Sequence, residues 1–207
     1  MHHRFRKLAG ALATAALAAG LTMAGTGSAH AAVTPPTGPG TWAEIFAPEI
    51  NSNGITLCAD NFGSTAQGHN LQLWRCHGYA SNGTPQRWNF SLVQQNRKDG
   101  TLFYQIENVG SGLCIGLDPN RVRAGTIAGS NLLQEDCQDG LTLWTLRPAL
   151  DSPDSNNQFI LENNLGFLPF AGGEWAMEAN TFLDQNGNRL IAEPVASANS
   201  AQWFALG

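Results

Sequence analysis

Three stretches of this chain carry the same landmarks at almost the same spacing, and this repeat limits the possible folds more than any other feature. The first stretch contains Gly54-Ile55-Thr56-Leu57-Cys58 and closes at Gln86-Arg87-Trp88-Asn89-Phe90. The second contains Gly110-Ser111-Gly112-Leu113-Cys114 and closes at Leu143-Trp144-Thr145-Leu146. The third contains Asn164-Leu165-Gly166-Phe167-Leu168 and closes at Gln202-Trp203-Phe204-Ala205-Leu206. The closing tryptophans are 56 and 59 residues apart, and Cys58 and Cys114 are also 56 apart. Each unit, with about four short strands, is too small to bury its own apolar face. Three units around a pseudo-threefold axis share one core, and closing the strands removes sheet edges that invite aggregation. Trp88, Trp144 and Trp203 are then expected at equivalent inner positions.

The residues between the landmarks are those of strands. Trp42-Ala43-Glu44-Ile45-Phe46, Leu102-Phe103-Tyr104-Gln105-Ile106 and Gln158-Phe159-Ile160-Leu161-Glu162 alternate apolar and polar, and helical signals are scarce. Asp99-Gly100 between two such bursts predicts a tight hairpin turn. The fold class is therefore all-β, with repeats over about 41–93, 94–150 and 151–207.

Both ends of the chain bear on where the protein works. Arg4, Arg6 and Lys7 precede an uncharged run from Leu8 to about Met23, and Ser28-Ala29-His30-Ala31 offers a small-x-small cleavage site. This pattern predicts a secretory signal peptide over 1–31 and a secreted, extracellular protein. The run is short and Ala/Gly-rich for a membrane anchor. Residues 32–40, which include VTPPTGPG, are expected to be a linker with too little apolar content to pack. Without the signal peptide, eight basic residues face sixteen acidic ones, a net charge of −8. That balance argues against nucleic acid or an anionic membrane as partner and suits a neutral one such as a glycan.

Cys58, Cys76, Cys114 and Cys137 all lie beyond the predicted cleavage site, and an even count outside the cytoplasm implies two disulfides in one of three pairings. The alternative, zinc held with His69 or His77, lacks a CxxC or HExxH spacing, so no metal and no cofactor is expected.

The run Leu57-Cys58-Ala59-Asp60, then Leu71-Gln72-Leu73-Trp74-Arg75-Cys76, then Gln86-Arg87-Trp88 resembles the first repeat of the ricin-B-type lectin domain. That family is a β-trefoil with a QxW signature in each repeat. The resemblance spans roughly 41–207, strongest in the first repeat and weakest in the third. It implies disulfides within repeats, Cys58 with Cys76 and Cys114 with Cys137. Each would close a loop of about twenty residues, worth roughly 3 kcal/mol in the loop-entropy picture. The third repeat has no cysteine and must rely on packing.

In this family each repeat can carry one shallow sugar site: an Asp accepts from hydroxyls, a ring stacks on the C–H face of the sugar, and amides complete the contacts. The resemblance places Asp60 as acceptor, Trp74 as platform, Gln72 as an amide contact and Gln86 as a support from below. Where the family has Asn before that Gln, this chain has Pro85, and Asn82 is the candidate replacement. In the second repeat Gly116 and Glu135 stand at the acceptor and platform positions, and Asp118 before Pro119 is expected to shape a turn. In the third, Phe170-Ala171-Gly172-Gly173 falls at the acceptor position and Trp175 has no assigned role.

A catalytic reading finds little support. Asp60, His69 and Ser64 form a triad on paper, without GxSxG or a nucleophile elbow, and Glu135-Asp136 reads as a solvated strand end. The expectation is a non-enzymatic module with one glycan site, for a galactose-type or other pyranose. The alternative is a trefoil scaffold that binds or inhibits a protein partner through loops such as 76–84 or 150–157.

Overall fold

The structure, a computed structural model, describes residues 33–50, 54–77, 84–154, 156–164, 173–181 and 186–207. The expected signal peptide lies outside them. The first repeat supplies β1 (Ile45–Phe46), β2 (Leu57–Asp60), β3 (Gln72–Arg75) and β4 (Trp88–Gln95). The second supplies β5 (Leu102–Asn108), β6 (Cys114–Leu117), β7 (Ser130–Glu135) and β8 (Trp144–Pro148). The third supplies β9 (Phe159–Asn164), β10 (Glu174–Ala179), β11 (Asn188–Pro194) and β12 (Ala205–Leu206). One short helix, α1 (Pro119–Ala124), interrupts the second repeat. Asp118 caps it, accepting from the Asn120 and Arg121 amides, so the turn expected at Asp118-Pro119 becomes a helix start.

The first and last strands of each repeat form a closed circuit. β4 pairs with β5, β5 with β8, β8 with β9 and β12 with β1. The bridges Ala43–Trp88 and Phe159–Phe204 complete the ring. The middle strands form three hairpins, β2–β3, β6–β7 and β10–β11, which meet through β3–β11, β7–β11 and the Asn70–Leu133 bridge. This is the β-trefoil.

Three 3₁₀ turns, Thr84–Gln86, Gly140–Thr142 and Ser200–Gln202, mark equivalent points of the repeats. Two residues beyond each lies the inner aromatic: Trp88, Trp144 and Phe204, all fully buried in one core. The indole N–H of Trp88 donates to the Ala59 carbonyl at 3.0 Å, and that of Trp144 to the Ile115 carbonyl at 2.8 Å. Each indole so buries its ring without leaving an unpaired donor.

The third repeat corrects the expectation for Trp203. Trp203 belongs to a separate small cluster with Ala149, Ile160, Ala176 and Val195, and its Nε1 donates to the Ser197 carbonyl. Phe204 is the residue equivalent to Trp88 and Trp144. Strand register explains the small cluster. Cys58 opposes Trp74, Cys114 opposes Glu135, and Ala176 opposes Glu193. Ala176 and Val195 therefore stand where the other repeats have cysteines, and apolar packing with Trp203 takes the place of the disulfide. The other two repeats carry Cys58–Cys76 and Cys114–Cys137, the pairing the resemblance implies.

The expected linker also differs. Pro35 is buried, Val33 packs against the main core, and Thr37 bridges Phe90 in parallel. Proline restricts this stretch before docking, so ordering it costs little chain entropy. The Asp99-Gly100 turn forms as expected: Gly100 takes φ +78°, and Asp99 accepts from both the amide and hydroxyl of Thr101.

Candidate functional site

The β2–β3 hairpin has an inner and an outer face. Leu57, Ala59, Leu71 and Leu73 point into the core. The alternate residues Cys58, Asp60, Gln72 and Trp74 share the outer face, with Asp60 opposite Gln72 and Cys58 opposite Trp74. The disulfide lies beside Trp74 and pins the end of the hairpin.

Asp60 and Trp74 line one shallow cleft of about 250 Å³ with Phe62, Gly63, His77 and Pro85. Asp60 sits in its floor, only 3% exposed. Its Oδ1 accepts from the Phe62 amide, and its Oδ2 from Gln86 Nε2 at 2.8 Å. A carboxylate oxygen can accept more than one hydrogen bond, so each keeps capacity toward the cleft. Gln86 is fully buried beneath; its Nε2 also donates to the Arg75 carbonyl, and its Oε1 accepts from the His77 amide at 2.8 Å. One side chain thus ties the carboxylate, the end of β3 and the residue after the disulfide.

A polar network fixes the turn behind Asp60. Asn61 Nδ2 donates to the Ser64 carbonyl, Asn108 Oδ1 and Gln134 Oε1, and Asn108 Nδ2 donates to the carbonyls of Thr84, Pro85 and Arg87. The turn sets Phe62 at φ +58° and leaves it 63% exposed. Left-handed backbone is costly for a bulky residue, so the surrounding bonds hold it there. The Phe62 ring meets the half-exposed Trp74 edge-on, with centroids 5.7 Å apart and planes at 65°. Sequence reasoning missed Phe62, because its role depends on a turn conformation that no motif announces.

The other candidates divide. Gln72 shares the face with Asp60 but does not line the cleft; its Oε1 lies beside Gly187 on the β11 side, and its buried Nε2 has no hydrogen-bond partner among the described residues. Asn82 lies outside the described residues. Pro85 forms part of the cleft wall, and its carbonyl accepts from the Asn61 amide and Asn108 Nδ2. Behind the disulfide, burial raises the Glu44 carboxyl above the ordinary value, opposed by the charges of Arg87 and His77. Glu44 lies close to Cys58 and Cys76, but the two sulfurs are bonded to each other. Among the described residues no hydrogen bond joins Asp60, His69 and Ser64; the Ser64 hydroxyl accepts from the Ala66 amide instead.

The same positions in the other repeats hold different chemistry. In the second, Glu135 is buried and its Oε2 accepts from Gln67 Nε2 at 2.8 Å. A Cβ at Gly116 would meet Glu135 Cβ at 3.0 Å and Thr142 Cγ2 at 3.1 Å, so the acceptor position is filled by its neighbours. In the third, Glu178 opposes Ile191 as Asp60 opposes Gln72. The acceptor position there is Glu178, not residues 170–173, of which only Gly173 is described. The absence of cysteines removed the landmark that would have placed it. Glu178 Oε2 accepts from Gln202 Nε2 at 2.8 Å and Asn199 Nδ2 at 2.9 Å, and Gln202 also bonds the Pro194 carbonyl and Ala196 amide. This repeats the Gln86 arrangement bond for bond. The platform position holds Glu193, whose carboxyl is raised by burial and by Glu178. Trp175 faces inward and packs against the main core.

No protein-family model matches the sequence, and no curated protein matches it. Solved structures do resemble the fold. A designed 3-fold symmetric protein, ThreeFoil, superposes with TM-score 0.56 at 17% identity over 80% of this chain and 96% of its own. The Rhizoctonia solani agglutinin gives 0.52 at 17% identity over 83% and 99%. The Polyporus squamosus lectin, solved with the epitope Neu5Acα2-6Galβ1-4GlcNAc, gives 0.55 at 9% over 84% of this chain and 49% of its own. At these identities the likeness establishes the β-trefoil fold, which this chain shares with the agglutinin and the lectin.

Proposed function

We propose that this chain is a secreted carbohydrate-binding module with one sugar site, in the first repeat. The observation that carries this reading is the shared cleft of Asp60, Trp74 and Phe62. It offers rings for the C–H face of a pyranose and a carboxylate for directional, charge-assisted bonds to hydroxyls. His77, at the rim, is a further donor. Gln72 leaves the set and Phe62 joins it. Secretion is supported by the signal-peptide pattern and two disulfides; no described helix is long and apolar enough to cross a membrane. The galactose-containing epitope bound by the Polyporus squamosus lectin supports a galactose-type or other pyranose as the first ligand to test.

A single shallow site binds weakly, with a dissociation constant near 1 mM corresponding to about −4 kcal/mol. A glycan array followed by calorimetry tests the reading. Asp60→Ala and Trp74→Ala are each expected to weaken binding at least about tenfold, the loss of roughly 1.4 kcal/mol. Binding that ignores both substitutions would remove the site from this cleft. The second reading, a protein-binding scaffold, draws on Leu92 and Val93, both about half exposed on β4. Capture of a protein partner with no glycan response would favour it.

A further inference from the structure

A second, larger cleft lies where the two ends of the domain meet, and no repeat of the trefoil accounts for it. Its volume is about 860 Å³, more than three times that of the first-repeat cleft. Val33, Thr34 and Pro36, β1 with residues 205–207, and Asp154 with Asn156, Asn157 and Gln158 line it. Trp42 and Phe46 contribute rings, while Asp154, Asn156 and Asn157 contribute polar ends.

Two details narrow the ligand. The Arg87 guanidinium lies 4.3 Å from the centroid of the Trp42 ring, so a cation-π partner is already supplied from within the protein. Both oxygens of Asp154 accept from Asn157 Nδ2 at 3.1 Å, which orders the pair before any ligand arrives. Rings beside ordered amides and one engaged carboxylate suit a neutral polyhydroxylated ligand. The one carboxylate among these side chains, Asp154, is matched by one guanidinium, Arg87 on Trp42, so together they carry no net charge to select a cation or an anion. The volume falls within the range of ligand sites and exceeds what the one-residue cleft offers, so a stretch of several sugar residues fits.

We propose that this cleft is a second glycan site, taking several consecutive residues of a neutral oligosaccharide. The choice of sugar as ligand rests on the carbohydrate-binding reading above; the cleft and its lining do not. Two sites on one domain would let a polysaccharide engage both at once, which offsets the weakness of either alone.

The test follows the indole N–H signals of Trp42 and Trp74 in isotope-labelled secreted protein titrated with galactose, galactotriose and xylohexaose. The signals of buried Trp88 and Trp144 report whether each variant is folded. The expected result is that an oligosaccharide shifts the Trp42 signal in the wild type and in Trp74→Ala. Asp154→Ala combined with Asn157→Ala should abolish that shift and leave the Trp74 response intact. Wild-type affinity for the polymer should exceed that of either single-site variant by at least about tenfold. A Trp42 signal that stays still while Trp74 responds overturns the second site and leaves the first-repeat reading standing. A response of Trp42 alone does the reverse. No response from either indole sinks both.

Discussion

Replacing Gln86 by Ala should be among the most damaging single changes to this domain, although Gln86 is polar and contributes nothing to the apolar core. Its amide makes three hydrogen bonds, to Asp60, the Arg75 carbonyl and the His77 amide, from a fully buried position. Each net bond is worth about 1 kcal/mol, and each buried partner left unsatisfied costs about 1–3 kcal/mol, more when charged. Water entering from the shallow cleft recovers part of this, so the expected loss is about 3–5 kcal/mol. Gln202→Ala should match it, since Gln202 makes the same three kinds of bond to Glu178, Pro194 and Ala196. Thr142→Ala provides the internal control. It occupies the equivalent point, but its hydroxyl bonds only the Cys137 and Asp139 carbonyls, so about 1 kcal/mol is expected. For a domain of this size these values correspond to drops in Tm of roughly 6–20 °C against 2–4 °C. Thermal and urea unfolding, followed by tryptophan fluorescence, read the order directly. If Thr142→Ala costs as much as Gln86→Ala, the buried amide is not what ties the hairpin to the barrel.

Gly116→Ala should cost about 1–3 kcal/mol by calorimetry, because its Cβ has no room beside Glu135 and Thr142. Phe62→Gly relieves left-handed strain of about 1 kcal/mol and returns a similar amount to the unfolded chain, so stability should change by less than about 1 kcal/mol. Sugar affinity of that variant should nevertheless fall about five- to tenfold, as one cleft wall is removed; unchanged affinity would take Phe62 out of the site. Glu193 binds its proton more readily folded than unfolded, chiefly through burial and then Glu178. Its contribution to stability is therefore fully present below the unfolded Glu value of about 4.3 and is lost as pH rises through the raised folded value. Glu193→Gln should raise Tm at neutral pH and flatten its fall above that value; an unchanged Tm–pH curve would show that the pair is not strained. Glu193→Trp goes further, placing a ring at the platform position beside Glu178. One additional pyranose site by calorimetry is expected, and a stoichiometry unchanged from the wild type would mean that acceptor and ring do not suffice.

The sequence made the fold legible because two kinds of landmark, cysteine and tryptophan, kept one period in the first two repeats. It misled where one kind was missing. Without cysteines, the third repeat was aligned on Trp203, one residue early. The better landmark was Gln202, which shares with Gln86 the place two residues before the inner aromatic, and that aromatic is Phe204. For the proposed site, the sequence pointed to Asp60, Trp74 and Gln86, which strand alternation and one buried amide bring together. Gln72 shares their face, but the β11 side of the hairpin claims its side chain, and only tertiary packing decides that. Phe62 was invisible for the opposite reason: its exposure comes from a local backbone state held by Asp60 and Asn61.

The three repeats also differ at the acceptor position by a pair of residues rather than by one. A buried carboxylate at the acceptor position needs a donor beneath it, and a buried Gln needs an acceptor above. Asp60 with Gln86 and Glu178 with Gln202 keep both members. The second repeat has neither: Gly116 stands with Thr142, and Glu135 occupies the space between them. Losing either member alone would strand its partner in a dry interior at a cost of a few kcal/mol, so the intermediate with one member is the least stable form. The platform residue has no such obligation. Trp74 and Glu193 are only partly buried there, whereas Glu135 is buried and bonded by Gln67, so the position takes up the fold only where the acceptor has been replaced by glycine. In the proposed site the carboxylate–amide pair is thus the architectural half and the ring the adjustable half, and among the described residues only the first repeat has both.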